Sequence, residues 1–114
     1  MKLAQYQKLL AANMSETELQ VNVVGLAEAH HFLHYHTHDS RKSPAGFPDL
    51  TLVHKHTGRL IFAELKTEKG WASPQQRLWL TSLQRSPAEV FLWKPRHLLT
   101  GEILHILANS GPLP

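Results

Sequence analysis

Asp49, Glu64 and Lys66 are the residues of this 114-residue chain whose types and spacing best suit chemistry. Asp49 follows Pro48, and after fourteen intervening residues Glu64 and Lys66 flank Leu65 at the end of an apolar run. Two carboxylates held close together repel, and one takes up a proton unless a cation keeps both ionised. Hard oxygen ligands, few in number and with room left for water, suit Mg2+ or Mn2+ rather than Zn2+. A lysine beside such a pair can orient or deprotonate an attacking water, or neutralise charge on a phosphate. Together these are the parts for hydrolysing a phosphodiester. The plainer alternative is a cross-strand Asp–Lys ion pair, with Glu64 at a strand end in water.

The elements that must position these groups lie in the same stretch. Leu50-Thr51-Leu52-Val53 and Leu60-Ile61-Phe62-Ala63 are short, apolar and β-prone, and His56-Thr57-Gly58-Arg59 between them has the length and the glycine of a hairpin connection. With the turn centred between Thr57 and Gly58, Asp49 falls opposite Lys66 and Glu64 lies on the diagonal. A two-residue shift sets Asp49 opposite Glu64 instead. In both registers Asp49, Glu64 and Lys66 share one face, because side chains alternate along a strand; only a one-residue slip parts them. Opposite Cβ atoms stand about 5 Å apart and diagonal ones about 7 to 8 Å, within reach of one shared cation.

Pro48-Asp49 followed by Glu64-Leu65-Lys66 resembles the PD-(D/E)XK nuclease signature. More narrowly, Gly46-Phe47-Pro48-Asp49-Leu50, the segment Glu64-Leu65-Lys66-Thr67-Glu68-Lys69-Gly70 and the following Ser73-Pro74-Gln75-Gln76-Arg77 resemble the VRR-NUC group in its small stand-alone phage and bacterial form. The likeness spans about Ser15 to Trp93, although the Val-Arg-Arg tripeptide is absent and Ser40-Arg41-Lys42 stands nearest to it. The resemblance implies an α/β fold with a restriction-endonuclease-like αβββαβ core, a four-stranded mixed sheet in the order 1-2-3-4 and flanking helices. It further implies Mg2+ or Mn2+ as cofactor, DNA as substrate, cleavage leaving 5′-phosphate ends, and a homodimer acting on branched DNA such as a four-way junction. Asp49, Glu64 and the Leu65 carbonyl would hold the metal, with Glu18 as a further acid from the first core helix. Lys66 and Gln76 would complete the catalytic set, and His36 would be a strand histidine near the active face.

Size and composition bound the rest. A chain of this length builds one domain with one modest core, here residues 1–114 with an accessory N-terminal helix over 1–13 and a tail over 109–114. Without cysteine there is no disulfide framework and no thiolate metal site, which makes a reducing cytoplasm, bacterial or of a phage-infected host, the expected compartment. No apolar run approaches membrane-spanning length and the N-terminus lacks a signal-peptide pattern. Twelve Lys and Arg against nine Asp and Glu give +3, compatible with a nucleic-acid partner.

Along the chain, Leu3, Tyr6, Leu9 and Leu10 at helical spacing mark the first helix, and Leu19, Val23, Leu26 and Ala27 the second. Ser15 and Glu18 form an S-x-x-E capping box, which explains Glu18 without any metal. His30, His31, His34, His36 and His38 crowd nine positions, and on a strand over about 32–37 His34, His36 and His38 would share a face. They suggest either a zinc ligand cluster or a polar sheet edge. The loop Asp39–Gly46 carries Arg41 and Lys42 toward Asp49, where they would grip a phosphate backbone or simply be solvated. Ser73 caps a third helix with Pro74 at its first position, and Trp79, Leu80 and Leu83 give it a buried stripe. Gln76 is the N3 glutamine of that cap and so has both a capping and a catalytic reading. Lys69 and Arg77 would add phosphate contacts. A strand over 88–93, reached by a helical crossover and therefore parallel to the Leu60–Lys66 strand, and a closing helix over Leu98–Leu107 complete the order. The competing functions are a non-catalytic nucleic-acid-binding accessory module with a nuclease fold and a zinc protein organised by the histidines.

Overall fold

Period-two apolar runs become strands and the 3.6-residue stripes become helices around them. In the computed structural model, which describes residues 1–38 and 42–109, the order is α1 (Leu3–Asn13), α2 (Glu16–Ala29), β1 (Phe32–His36), β2 (Leu50–His54), β3 (Leu60–Leu65), α3 (Pro74–Leu83), β4 (Glu89–Trp93), α4 (Pro95–Leu99) and α5 (Glu102–Ala108). The strands form one mixed sheet in the order β1-β2-β3-β4, antiparallel except for the parallel β3–β4 pair reached through α3. This is the α/β architecture the resemblance implies.

One sheet face carries Leu50, Leu52, Ile61, Ala63 and Leu65, joined by Phe32 and Trp93 from the flanking strands. It packs on Leu19, Val23 and Ala27 of α2 and on Ile103 and Leu107 of α5, in one continuous core. Each large apolar side chain so buried contributes about 1.5 to 3 kcal/mol, which makes this face the main source of stability. The opposite face carries Asp49, Thr51, Val53, Phe62 and Glu64 and is covered in part by α3.

The β2–β3 ladder sets Leu50 opposite Ala63 and Val53 opposite Leu60. His54 N donates to Arg59 O at 2.9 Å, so the turn is centred between His56 and Thr57, one residue earlier than the sequence suggests. A one-residue move of the centre shifts the pairing by two, and Asp49 lies level with Glu64 rather than with Lys66. Parity survives and the shared face is kept.

Two helices depart from the sequence expectation. The closing helix is split into α4 and α5 at Gly101, whose φ of 84° lies in the left-handed region and cannot continue a helix. The stripe of α1 faces outward: Leu3, Tyr6, Leu9 and Leu10 are exposed, and Ala11 is the buried residue. α1 instead lies against α4, where Gln7 Nε2 donates to Leu99 O at 3.1 Å. Among the described residues no helix is long and apolar enough to cross a membrane.

Candidate active site

Asp49 is delivered by a loop fastened on both sides. On the β1 side, Thr37 N donates to Asp49 O and Thr37 Oγ1 to Pro48 O, each at 2.8 Å. On the α3 side, Trp79 Nε1 donates to Ala45 O at 3.2 Å, and Phe47 packs edge-on against both Phe62 and Trp79. Gly46 makes the close approach feasible. Its φ is +100°, and a Cβ there would stand 2.6 Å from the carbonyl carbon of Gln75, so only glycine lets the loop lie on the first turn of α3. The same contact brings Asp49 and Gln76 to one cleft, of about 710 Å³, lined also by Tyr35, Thr37, Phe47 and Trp79.

At the edge of that cleft Asp49 lies level with Glu64 on the neighbouring strand. Asp49 Oδ2 accepts from the main-chain N of Leu65 at 2.7 Å, which ties it to the end of β3. Glu64 is 1% exposed, and its Oε2 is buried with no hydrogen-bond partner. Its Oε1 receives only a long contact from Gln76 Nε2, at 3.4 Å. A buried polar atom left unpaired costs about 1 to 3 kcal/mol and calls for a physical reason. Burial pushes the Glu64 carboxyl up to about 9, with the neighbouring Asp49 adding to the shift; Lys66 opposes it and Glu16 reinforces it. In the absence of a cation Glu64 therefore keeps its proton at neutral pH.

Gln76 reconciles its two sequence readings. Its Oε1 accepts from Ser73 N at 2.8 Å and its own N–H donates to Ser73 Oγ at 3.2 Å, a complete capping box. Because the cap uses the oxygen, the amide nitrogen remains to face Glu64. One side chain both ends the helix and supplies the carboxylate with a donor.

The remaining residues singled out from sequence are placed unequally. Lys66, half-buried, follows Leu65 and alternates onto the Glu64 face. Glu18 is exposed and engaged with Ser15, whose Oγ accepts from Glu18 N at 3.0 Å and lies 3.1 Å from its Oε1. Glu16, two residues earlier, is the α2 acid whose charge bears on Glu64, whereas the resemblance points to Glu18. His36 pairs with Leu50 and so lies on the core-facing side of the sheet, whereas Tyr35 and Thr37 occupy the side of Asp49. The structure does not bring His36 to the carboxylates. Lys42, Lys69 and Arg77 are exposed; Lys42 and Arg77 adjoin the cleft-lining Ser43 and Gln76, and Arg77 Nη1 also donates to Ala72 O at 3.2 Å. Arg41 lies outside the described residues, as does the tail beyond Asn109. Among the described residues no group of three or more His, Asp or Glu side chains is arranged to hold a metal, so the histidines make no zinc cluster there. His34 instead contacts Glu28 at 2.9 Å, and His31, His54 and His56 gather at the hairpin turn.

No curated protein sequence matches the chain. A solved structure described as a VRR_NUC domain superposes with a TM-score of 0.67 at 24% identity, covering 79% of this chain and 95% of that one, which shows the common fold. The sequence model of the VRR-NUC domain matches residues 2–95, well over half of the chain. The chain therefore belongs to the VRR-NUC family, a nuclease-type domain.

Proposed function

We propose that the protein is a divalent-metal-dependent DNA endonuclease. The observation that carries this reading is the buried Glu64 Oε2 without a partner beside Asp49. Two neighbouring carboxylates, of which the buried Glu64 holds a proton, fit a hard dication that would displace that proton. Asp49, Glu64 and the Leu65 carbonyl would hold Mg2+ or Mn2+, with an α2 acid, Glu18 or Glu16, in outer support. When bound, such an ion supplies charge stabilisation at the phosphate and lowers the pKa of water.

The chain's own residues do the rest. Lys66 orients the attacking water or takes its proton, and Gln76 Nε2 fixes the Glu64 carboxylate while its oxygen keeps α3 in place. Lys42, Lys69 and Arg77, with Arg41, hold the phosphate backbone and set its register across the cleft. His36, on the other side of the sheet, would reach only a strand that wraps the β1 edge. One chain has one such site, so paired cuts in a branched substrate such as a four-way junction need two copies, and a homodimer is the simplest way to supply them.

The test is a panel of labelled branched, flapped, duplex and single-stranded DNAs incubated with Mn2+ or Mg2+, using the unaltered chain, D49A and K66A. Cleavage that needs the metal and is lost in both variants supports the reading. Metal-independent binding with no cleavage by the unaltered chain overturns it in favour of an accessory binding module.

A further inference from the structure

Trp71 is the most exposed tryptophan, with 79% of its surface open to solvent, and one side chain packs against its ring. A turn closed by Gly70 N donating to Thr67 O at 3.0 Å precedes it, and the buried Ala72 and the N-cap Ser73 follow it. One face of the indole is occupied by Lys94, whose Nζ stands 4.3 Å from the ring centroid. Lys94 is itself 7% exposed and donates to Glu68 O at 3.3 Å, so it acts as a pedestal from below and leaves the other face of the ring bare.

The pedestal adjoins the active site. Leu65 pairs with Trp93 and Lys66 N donates to Trp93 O at 3.0 Å, which sets Lys94 level with Lys66 on the neighbouring strand. Adjacent strands lie about 4.8 Å apart. Lys94, beneath the exposed ring, thus lies one strand away from Lys66, and Lys69 precedes Trp71 by two residues. Cations interleaved with an aromatic face are the chemistry that receives a single strand, the charge tracking the phosphates and the ring stacking on a base.

We propose that the open face of Trp71 stacks on an unpaired nucleobase next to the scissile phosphate. The inference rests on the nuclease reading for the position of the cut and deepens it by naming the substrate class: a strand with an unstacked base at or beside the cleavage point. In an intact duplex each base face is covered by its neighbour and the ring has no ligand.

The test, in chelator, uses quenching of intrinsic fluorescence in the unaltered full chain, and the anisotropy of a labelled oligothymidine single strand against a labelled blunt duplex at equal nucleotide concentration for the unaltered protein, W71F and W71A. The single strand is expected to quench the unaltered protein, and W71A to bind it about tenfold more weakly, within the range that one base–aromatic stack contributes. W71F should retain most of the affinity, and duplex affinity should be the same for all three. With Mn2+ and a flapped substrate, W71A should raise KM about tenfold at nearly unchanged kcat. Equal single-strand affinity for W71A and the unaltered chain overturns the proposal. So does an equal loss on the duplex, or a change of oligomeric state in W71A without a change in binding, which would assign the ring to a second copy. Quenching without cleavage by the unaltered chain removes the nuclease reading and leaves the stacking platform standing, so the two failures are distinct.

Discussion

The two ends of the central hairpin are both dense in ionisable groups and have opposite characters. At the turn end, the Arg59 guanidinium forks onto both oxygens of Glu89, with Nη2 to Oε1 at 2.7 Å, and its Nη1 donates to Asn109 O at 2.6 Å. There His54 Nδ1 accepts from the main-chain N–H of His56 and of Thr57, both at 3.2 Å. At the open end, Glu64 keeps an unpaired oxygen and an acid pushed up to about 9. One end spends its polar groups on each other and stabilises the fold. The other holds polarity in reserve and destabilises the fold locally, the usual signature of a site kept for a ligand.

Substitutions at the two ends should separate these characters. D49A or E64A should lower metal-dependent DNA cleavage on the order of a thousandfold, since the charge stabilisation lost is several kcal/mol and about 1.4 kcal/mol is a factor of ten. K66A should lower it about a hundredfold or more, the contribution of a positioned general base; initial rates on one labelled substrate rank the three. R59A should leave cleavage per folded molecule intact and lower stability by about 1 to 3 kcal/mol in urea unfolding, because Glu89 loses its partner. Loss of cleavage in R59A at full folding would break the contrast.

The pH dependence sharpens it. Glu64 has a folded-state pKa raised from 4.5 to about 9, so the folded chain keeps a proton that the unfolded chain releases. Stability in chelator is then fullest below the unfolded value and is lost as pH rises through this window toward the folded value. Thermal melts from pH 5 to 9 should show that decline, and E64Q should flatten it while abolishing cleavage. His54 behaves in the opposite sense. Slight desolvation, then the neighbouring His56, His31 and Arg59, lower its pKa. Its contribution is therefore full above the ordinary histidine value and is lost as pH falls. Protection factors for amide exchange at His56 and Thr57 should fall modestly below pH 6, an effect absent in H54A.

The sequence made the decisive geometry legible because it rests on parity. Alternation along β2 and β3 puts Asp49 and Glu64 on one face in either even register, and the misplaced turn centre changed only which residue stood directly opposite. Ser73 and Pro74 marked the start of α3 by local rules that tertiary structure did not override. Long-range placement was less legible. Gly46 was visible as part of a motif, but its close contact with Gln75 depends on the loop lying against α3. The outward stripe of α1 followed from docking through its small residues onto α4, and the break at Gly101 from a single left-handed residue inside an apolar periodicity. His36 was assigned by resemblance, and its pairing with Leu50 sets it on the core-facing side of the sheet.

Calorimetric titration of Mn2+ into the unaltered chain, E64Q and D49N tests the central claim most directly. The account predicts saturable binding by the unaltered chain that is lost or severely weakened in both variants, with all three equally folded by circular dichroism. Undiminished binding in E64Q and D49N, or none in the unaltered chain at millimolar Mn2+, would contradict it.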